Sequence, residues 1–277
     1  MNKDECVISE SVKKCIQQIS DTVIRNGSFE DVIKDGIFDL LESKCTVIYY
    51  PLENEKNRGF HIKKIVNNNL EDFVYINTDK TVEQQVFTAA HELGHILNVY
   101  EEVCAMLDGQ MNLDPNDQRF EEKVIDRFAA ELLMPESKFV KETNCIANEL
   151  GIRNSVSVLE MLKLIARLMD RFMSPFNAVR KRLHEVNAID EDANLFLSKE
   201  KVDLEKIINL LKKDENRLIN SNTGIKTISG LRELLDEATK NPKINKSLIE
   251  KIKKDFDIND INYNEKYNIR FSGAKVD

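Results

Sequence analysis

TVEQQVFTAAHELGHIL, residues 81–97, decides the fold of this chain. Inside it HELGH, residues 91–95, sets two histidines four positions apart. A helix advances about 100° per residue, so His91 and His95 stand on one face, one turn apart, where both imidazoles reach a single ion. Glu92 lies beside them, close enough to act as a base toward water at that ion. Zinc held by two His and one further protein ligand keeps a position open, and water there titrates near about pH 7. The motif therefore points to the chemistry of a metallopeptidase. Its surroundings are helical as well. Thr81 with Gln84 reads as a capping box, and Val82, Val86, Ala89, Ala90, Leu93 and Leu97 recur at helical spacing. These apolar positions fall within about 60° of one direction, whereas His91, Glu92 and His95 fall about 140° to 240° away, so one face packs and the opposite face carries ligands. The chain holds only four His, which disfavours a chance pairing.

A third ligand is expected from a second amphipathic helix, residues 117–134, ended by Pro135. It offers Glu121, Glu122, Asp126 and Glu131. Glu131 shares a side with Lys123 and Arg127, which reads as a solvated face. Glu121 and Glu122 both lie toward the inner side, and helical phase does not separate them. Asp126, one turn after Glu122, is placed to accept a hydrogen bond from the non-ligating nitrogen of a metal-bound His. That favours Glu122 as the ligand, with Asp126 behind it; the alternative is a carboxylate pair that caps or solvates a helix end.

These stretches resemble the ImmA/IrrE-type metallopeptidases of bacteria and their mobile elements. The likeness runs through VYINTDKTVEQQVFTAAHELGHIL, residues 74–97, and EEKVIDRFAAELLMP, residues 121–135, and more weakly through SPFNAVRKRL, residues 174–183. HELGH paired with an acidic residue leading into FAAELLMP is more specific than HExxH by itself. The resemblance implies that His91, His95 and Glu122 are metal ligands and that Glu92 is the catalytic base. Asp126 stands where the family more often has Asn. Family members cleave a partner transcriptional repressor, often one encoded beside them, and so switch on stress or mobile-element genes. By that likeness the expected activity is a zinc endopeptidase acting on a helix–turn–helix repressor. Mn²⁺ and Fe²⁺ also suit nitrogen and oxygen ligands of this kind.

Around the motif, residues 45–50, 59–66 and 72–76 read as three short strands separated by polar, Asn-rich turns, forming a small sheet that leads into the zinc helix. An extended peptide can add to the edge of such a sheet. Two helices precede it, at residues 9–24 and 29–41, and are expected to cover the core. From Gly151 onward the pattern is wholly helical. The fold class expected is thus α+β, a zincin-like core followed by an all-helical half. The expected divisions are 1–44, N-terminal helices; 45–150, the metallopeptidase core; 151–189, a pair resembling a helix–turn–helix; and 190–277, an accessory helical domain of unknown role.

Charge and composition limit the function. Residues 152–188 carry seven Lys and Arg against three Asp and Glu. DNA binding there, or a non-proteolytic regulator that docks on a repressor or toxin, are the readings that compete with proteolysis. The net charge of −8 counts against a dedicated nucleic-acid binder. Residues 190–277 balance, with seventeen basic and seventeen acidic side chains, and so give no electrostatic hint of a partner. No apolar run approaches the roughly 20 residues that span a bilayer, and residues 1–20 are too charged for a secretory signal, so a soluble cytoplasmic protein is expected. Five Cys without CxxC spacing are expected to be reduced thiols, Cys104 among them. For the donor that stabilises an oxyanion, the candidates are His61, His184, Tyr49, Tyr50, Tyr75 and Tyr100.

Overall fold

The computed structural model describes residues 8–29, 31–54, 56–108, 113–114, 116–153, 156–214 and 221–258. In chain order the elements are α1 (Glu10–Asn26), α2 (Gly36–Glu42), β1 (Thr46–Tyr50), β2 (Gly59–Val66), β3 (Asn69–Asn77), α3 (Val82–Ile96), α4 (Val99–Met106) and α5 (Gln118–Leu133). Then come α6 (Glu136–Glu149), α7 (Val158–Phe172), α8 (Phe176–Glu185), α9 (Glu191–Lys199), α10 (Lys201–Asp214), β4 (Thr227–Ile228), α11 (Leu231–Lys240) and α12 (Lys246–Asp255). They fall into two compact units, Met1–Ser229 and Gly230–Asp277. Architecture is α+β with a helical C-terminal half. Among the described residues no helix is long and apolar enough to cross a membrane.

Local sequence explains most element ends. Ser9 caps α1, accepting from the Val12 amide at 3.4 Å, and the stripe Val12, Ile16, Ile19 is buried. The capping box of Thr81 and Gln84 opens α3. Asp117 caps α5 through the amides of Arg119 and Phe120, each at 3.1 Å. The second helix starts later than its apolar spacing suggests, at Gly36 and not near Phe29, because Ser28 and Lys34 hold φ of 55° and 50°, which a helix cannot continue through. Asn67 and Asn68, with φ of 49° and 67°, turn β2 into β3 as a two-residue hairpin. That turn zips the pairing out to Val66 and Asn69, so β3 is longer than the expected residues 72–76.

The sheet order is β2-β3-β1-β4. β1 runs parallel to β3, and β2 and β4 are antiparallel to their neighbours. β4 is the exception to the helical C-terminal pattern: Ile228 and Thr227 pair with Ile48 and Tyr49, and the Ser229 hydroxyl accepts from the Val47 amide at 2.8 Å. It covers one edge of the sheet. β2 is left as the other edge, a point that alternation of apolar residues cannot reveal. On one sheet face α3 packs through Val86, Ala89, Ala90 and Leu93, all buried with Val47, Val74 and Ile76. Gly59 permits this close approach, since a Cβ there would lie 2.5 Å from Thr88 Cγ2 and 2.6 Å from the Tyr75 carbonyl.

Charged side chains lock the helical half in place. Glu131, expected on a solvated face, is only 3% exposed. It is buried because α8 brings it a counter-charge from outside its own helix. Arg182 Nη2 donates to Glu131 Oε2 at 2.6 Å and Arg127 Nη1 donates to the same oxygen at 2.9 Å. Arg182 also donates to the Met134 carbonyl and to Glu185. Lys212 on α10 is held between Glu83 of α3 at 3.2 Å and Asp170 of α7 at 2.6 Å. Much of the basic charge counted in residues 152–188 is therefore internal. Arg180 and Arg182 are 7% and 1% exposed, Arg180 donates to Asn194, and Arg171 and Arg167 pair with Asp31, Glu142 and Glu149.

Candidate metal centre

Two helices make the centre, and one glycine sets how closely they meet. A Cβ at Gly94, within HELGH, would lie 3.0 Å from Ile125 Cγ2 and 3.1 Å from Phe128 Cδ1 of α5. The bare Cα lets α5 lie close against α3 and brings its first three turns, with Glu121, Glu122 and Asp126, alongside the histidines. His91, His95 and Glu122 then each offer one ligand atom within 4.8 Å of the others.

The spacing inside the cluster is tighter than that bound. His91 Nε2 and His95 Nε2 are 3.3 Å apart, Glu122 Oε2 is 3.3 Å from His91 Nε2, and Glu122 Oε1 is 3.6 Å from His95 Nε2. A tetrahedral ion with ligand bonds of about 2.1 Å has ligand-to-ligand edges of about 3.4 Å. The separation of the two imidazole nitrogens matches one such edge, and the Glu122 carboxylate turns one oxygen toward each ring at a similar distance. Proton placement agrees. His91 Nδ1 lies 2.9 Å from Asp126 Oδ1, and a carboxylate only accepts, so Nδ1 carries the hydrogen. Glu121 Oε1 lies 3.3 Å from His95 Nδ1 and favours the same tautomer there. In the neutral rings both Nε2 lone pairs then face each other across 3.3 Å, an arrangement that a cation between them relieves. The donor set fits a divalent metal.

Electrostatics follow from burial. Glu92 is 6% exposed; burial, with Glu122 adding to it and His91 opposing, pushes its carboxyl up to about 7. A Cβ on Gly59 would stand 3.7 Å from Glu92 Oε1, so the start of the edge strand overhangs this carboxyl. Burial works to lower His91, but the Asp126 hydrogen bond and the surrounding carboxylates carry it above its ordinary value. His95 is lowered by burial and by His91.

All the residues singled out in the sequence meet here: His91, Glu92, His95, Glu122 and Asp126. Glu121 is the one that reasoning from sequence left without a role, although its inner helical phase was visible. The oxyanion candidates separate. Tyr49, Tyr75 and Tyr100 donate to Glu42, the Tyr50 carbonyl and the Asp114 carbonyl at 2.7, 2.6 and 2.5 Å. Lys226 lies over the ring of Tyr50, and His184 Nε2 is 2.9 Å from Glu191. His61 on β2, 2.6 Å from Asp72, is the candidate whose charge bears on His95. Cys15, Cys45, Cys104 and Cys145 are free thiols, and burial raises Cys104 above its usual pKa, which suits neither a ligand nor a nucleophile. Cys6 lies outside the described residues.

No curated protein sequence matches the chain. Among solved structures, a Mycobacterium tuberculosis transcriptional regulator is similar at 12% identity and a TM-score of 0.41, over 63% of this chain and 52% of that one. This chain thus spans about half the length of that protein. The model of a peptidase family, described as the IrrE N-terminal-like domain, matches residues 41–184, more than half of the chain and the whole of the His91, His95 and Glu122 cluster. The chain belongs to that family, the peptidases with an IrrE N-terminal-like domain.

Proposed function

We propose that this protein is a metal-dependent endopeptidase, with zinc its expected ion, that cleaves a partner regulatory protein, a helix–turn–helix repressor encoded near it. The observation that carries the reading is the convergence of His91 Nε2, His95 Nε2 and the Glu122 carboxylate to within 3.3 to 3.6 Å. In this reading those three side chains hold the ion, Asp126 and Glu121 orient the rings, and Glu92 is the base.

When bound, the ion supplies Lewis-acid polarisation of a carbonyl and makes water acidic near neutrality. The chain's own residues do the rest. With a cation held by His91, His95 and Glu122, Glu92 would be favoured in its ionised form, and in this reading its carboxylate takes a proton from water and returns it to the leaving amine. Burial of Glu92 keeps that proton from exchanging freely with solvent. Substrate backbone is held by addition to β2, which pairs with β3 on one side only among the described residues. Phe60 and Ile62, both exposed, offer apolar contact along that strand, and its first residue lies over Glu92. Burial of Arg180 and Arg182 disfavours DNA reading by α8, because neither guanidinium is available to phosphate.

The test is incubation of the zinc-loaded protein with the repressor from the neighbouring gene, followed by mass spectrometry. A single cut that disappears in Glu92→Gln, with metal retained, is expected. An intact repressor that nonetheless remains bound identifies a non-proteolytic regulator instead.

A further inference from the structure

Beside the metal centre a cleft of about 520 Å³ opens between α3, α5 and α8, a size typical of specific ligand sites, which run about 300–1,000 Å³. Asp126 is shared between the two: it lines the cleft, and its Oδ1 meets His91 Nδ1 at 2.9 Å. Phe87, on the cleft floor, precedes His91 by one turn of α3. Ala130 and Ala178 extend that floor as small apolar surface.

The charge of the cleft is opposite to that of the chain. Among its described lining residues five Lys and Arg stand against two carboxylates, Asp126 and Glu185, in a protein of net charge −8. Part of this is structural. Arg127 and Arg182 are tied to Glu131 and Glu185, so those four charges cancel and make a rigid wall. Arg58 and Lys181, both exposed, supply the excess at the rim, while Asp126 is engaged with His91. An apolar floor under a cationic rim matches a segment that carries carboxylates and apolar side chains together. In a chain whose net charge is −8 such a cleft is a local exception, and an acidic segment is drawn to it.

We propose that this cleft binds an acidic, partly apolar segment of the protein substrate and thereby fixes which peptide bond reaches the metal centre. The proposal rests on the endopeptidase reading and supplies its substrate class. One helical turn is about 5.4 Å and an extended peptide rises about 3.3 Å per residue, so the step along α3 from Phe87 to His91 corresponds to about two residues of substrate.

The experiment uses the full chain and two labelled short peptides, one alternating Glu with Leu and one alternating Lys with Leu, read by fluorescence anisotropy. Arg58→Glu combined with Lys181→Glu reverses the rim without touching the metal ligands. The wild-type protein is expected to prefer the Glu peptide, with affinity that falls as salt rises. The double variant is expected to lose about tenfold or more, to gain for the Lys peptide, and to keep its metal content and thermal melting point. Equal binding of both peptides, or an undiminished Glu peptide in the variant, overturns the proposal. So does a DNA duplex that displaces the Glu peptide and binds more tightly, which reassigns the cleft to phosphate. Because binding is read without cleavage, peptide preference with no proteolysis of any repressor refutes the peptidase reading and leaves the cleft standing.

Discussion

His91 Nδ1 donates to Asp126 Oδ1 at 2.9 Å, a contact between α3 and α5 across 35 residues of chain. It settles which nitrogen of His91 faces the cluster and ties ring orientation to the packing of two helices. Asp126→Ala removes the acceptor, and metal affinity is expected to fall about 10- to 100-fold. Asp126→Asn keeps an acceptor oxygen and is expected to stay within about tenfold of wild type. Competition with a chromophoric chelator measures both; equal losses for Ala and Asn refute an orienting role.

Glu92 makes stability of the metal-free protein pH-dependent. Its folded carboxyl is raised to about 7 from 4.5, so the folded state holds a proton that the unfolded chain has released across that window. The contribution is fully present below pH 4.5 and is lost as pH rises through about 7. The loss amounts to at most about 3 kcal/mol. Glu92→Gln abolishes this term. Urea unfolding in chelator at acid and alkaline ends of the window should show the variant gaining on wild type as pH rises. Parallel pH profiles contradict it.

Removing the charge of Glu131 leaves two buried guanidiniums with only the half-buried Glu185 as counter-charge. Arg182 and Arg127 both donate to Glu131 Oε2, and Glu131→Gln is expected to cost about 3–5 kcal/mol in chemical denaturation. Glu185 is 28% exposed at its side chain, so Glu185→Gln should cost less. A smaller loss for Glu131→Gln than for Glu185→Gln would show that the pairing is not what fastens α8 to α5.

Gly94→Ala separates helix stability from metal binding. Alanine favours the helix by about 1 kcal/mol over glycine, but its Cβ meets Ile125 at 3.0 Å and Phe128 at 3.1 Å and pushes α5 outward. Zinc affinity is expected to drop about tenfold while metal-free stability changes by less than about 1 kcal/mol. Unchanged zinc affinity would show that the close helix approach does not set the ligand geometry.

Periodicity and capping carried much of the fold. The α3 capping box, the opposed faces of that helix and the α5 boundaries are local properties, and each is present in the structure. The strands of the hairpin were legible for the same reason. Long-range pairing was not. β4 joins the sheet through residues 180 positions from β1, and Ile228 by itself carries no alternation to announce it. Glu131 looked solvated because its own helix offers basic neighbours on that side, whereas its burial comes from Arg182, 51 residues on. At the centre, His91, Glu92 and His95 followed from spacing on one helix. The choice between Glu121 and Glu122 did not, because both have inward phase; only the approach of α5 assigns Glu121 to His95 Nδ1 and Glu122 to the Nε2 cluster.

That assignment is tested most directly by counting zinc. Native mass spectrometry of the wild-type chain, Glu121→Ala and Glu122→Ala, each loaded with one equivalent of Zn²⁺, separates ligand from orienting group. One bound ion in wild type, a weakened but detectable ion in Glu121→Ala and none in Glu122→Ala is the expected result. Zinc retained in Glu122→Ala, or lost only in Glu121→Ala, contradicts a centre built from His91, His95 and Glu122.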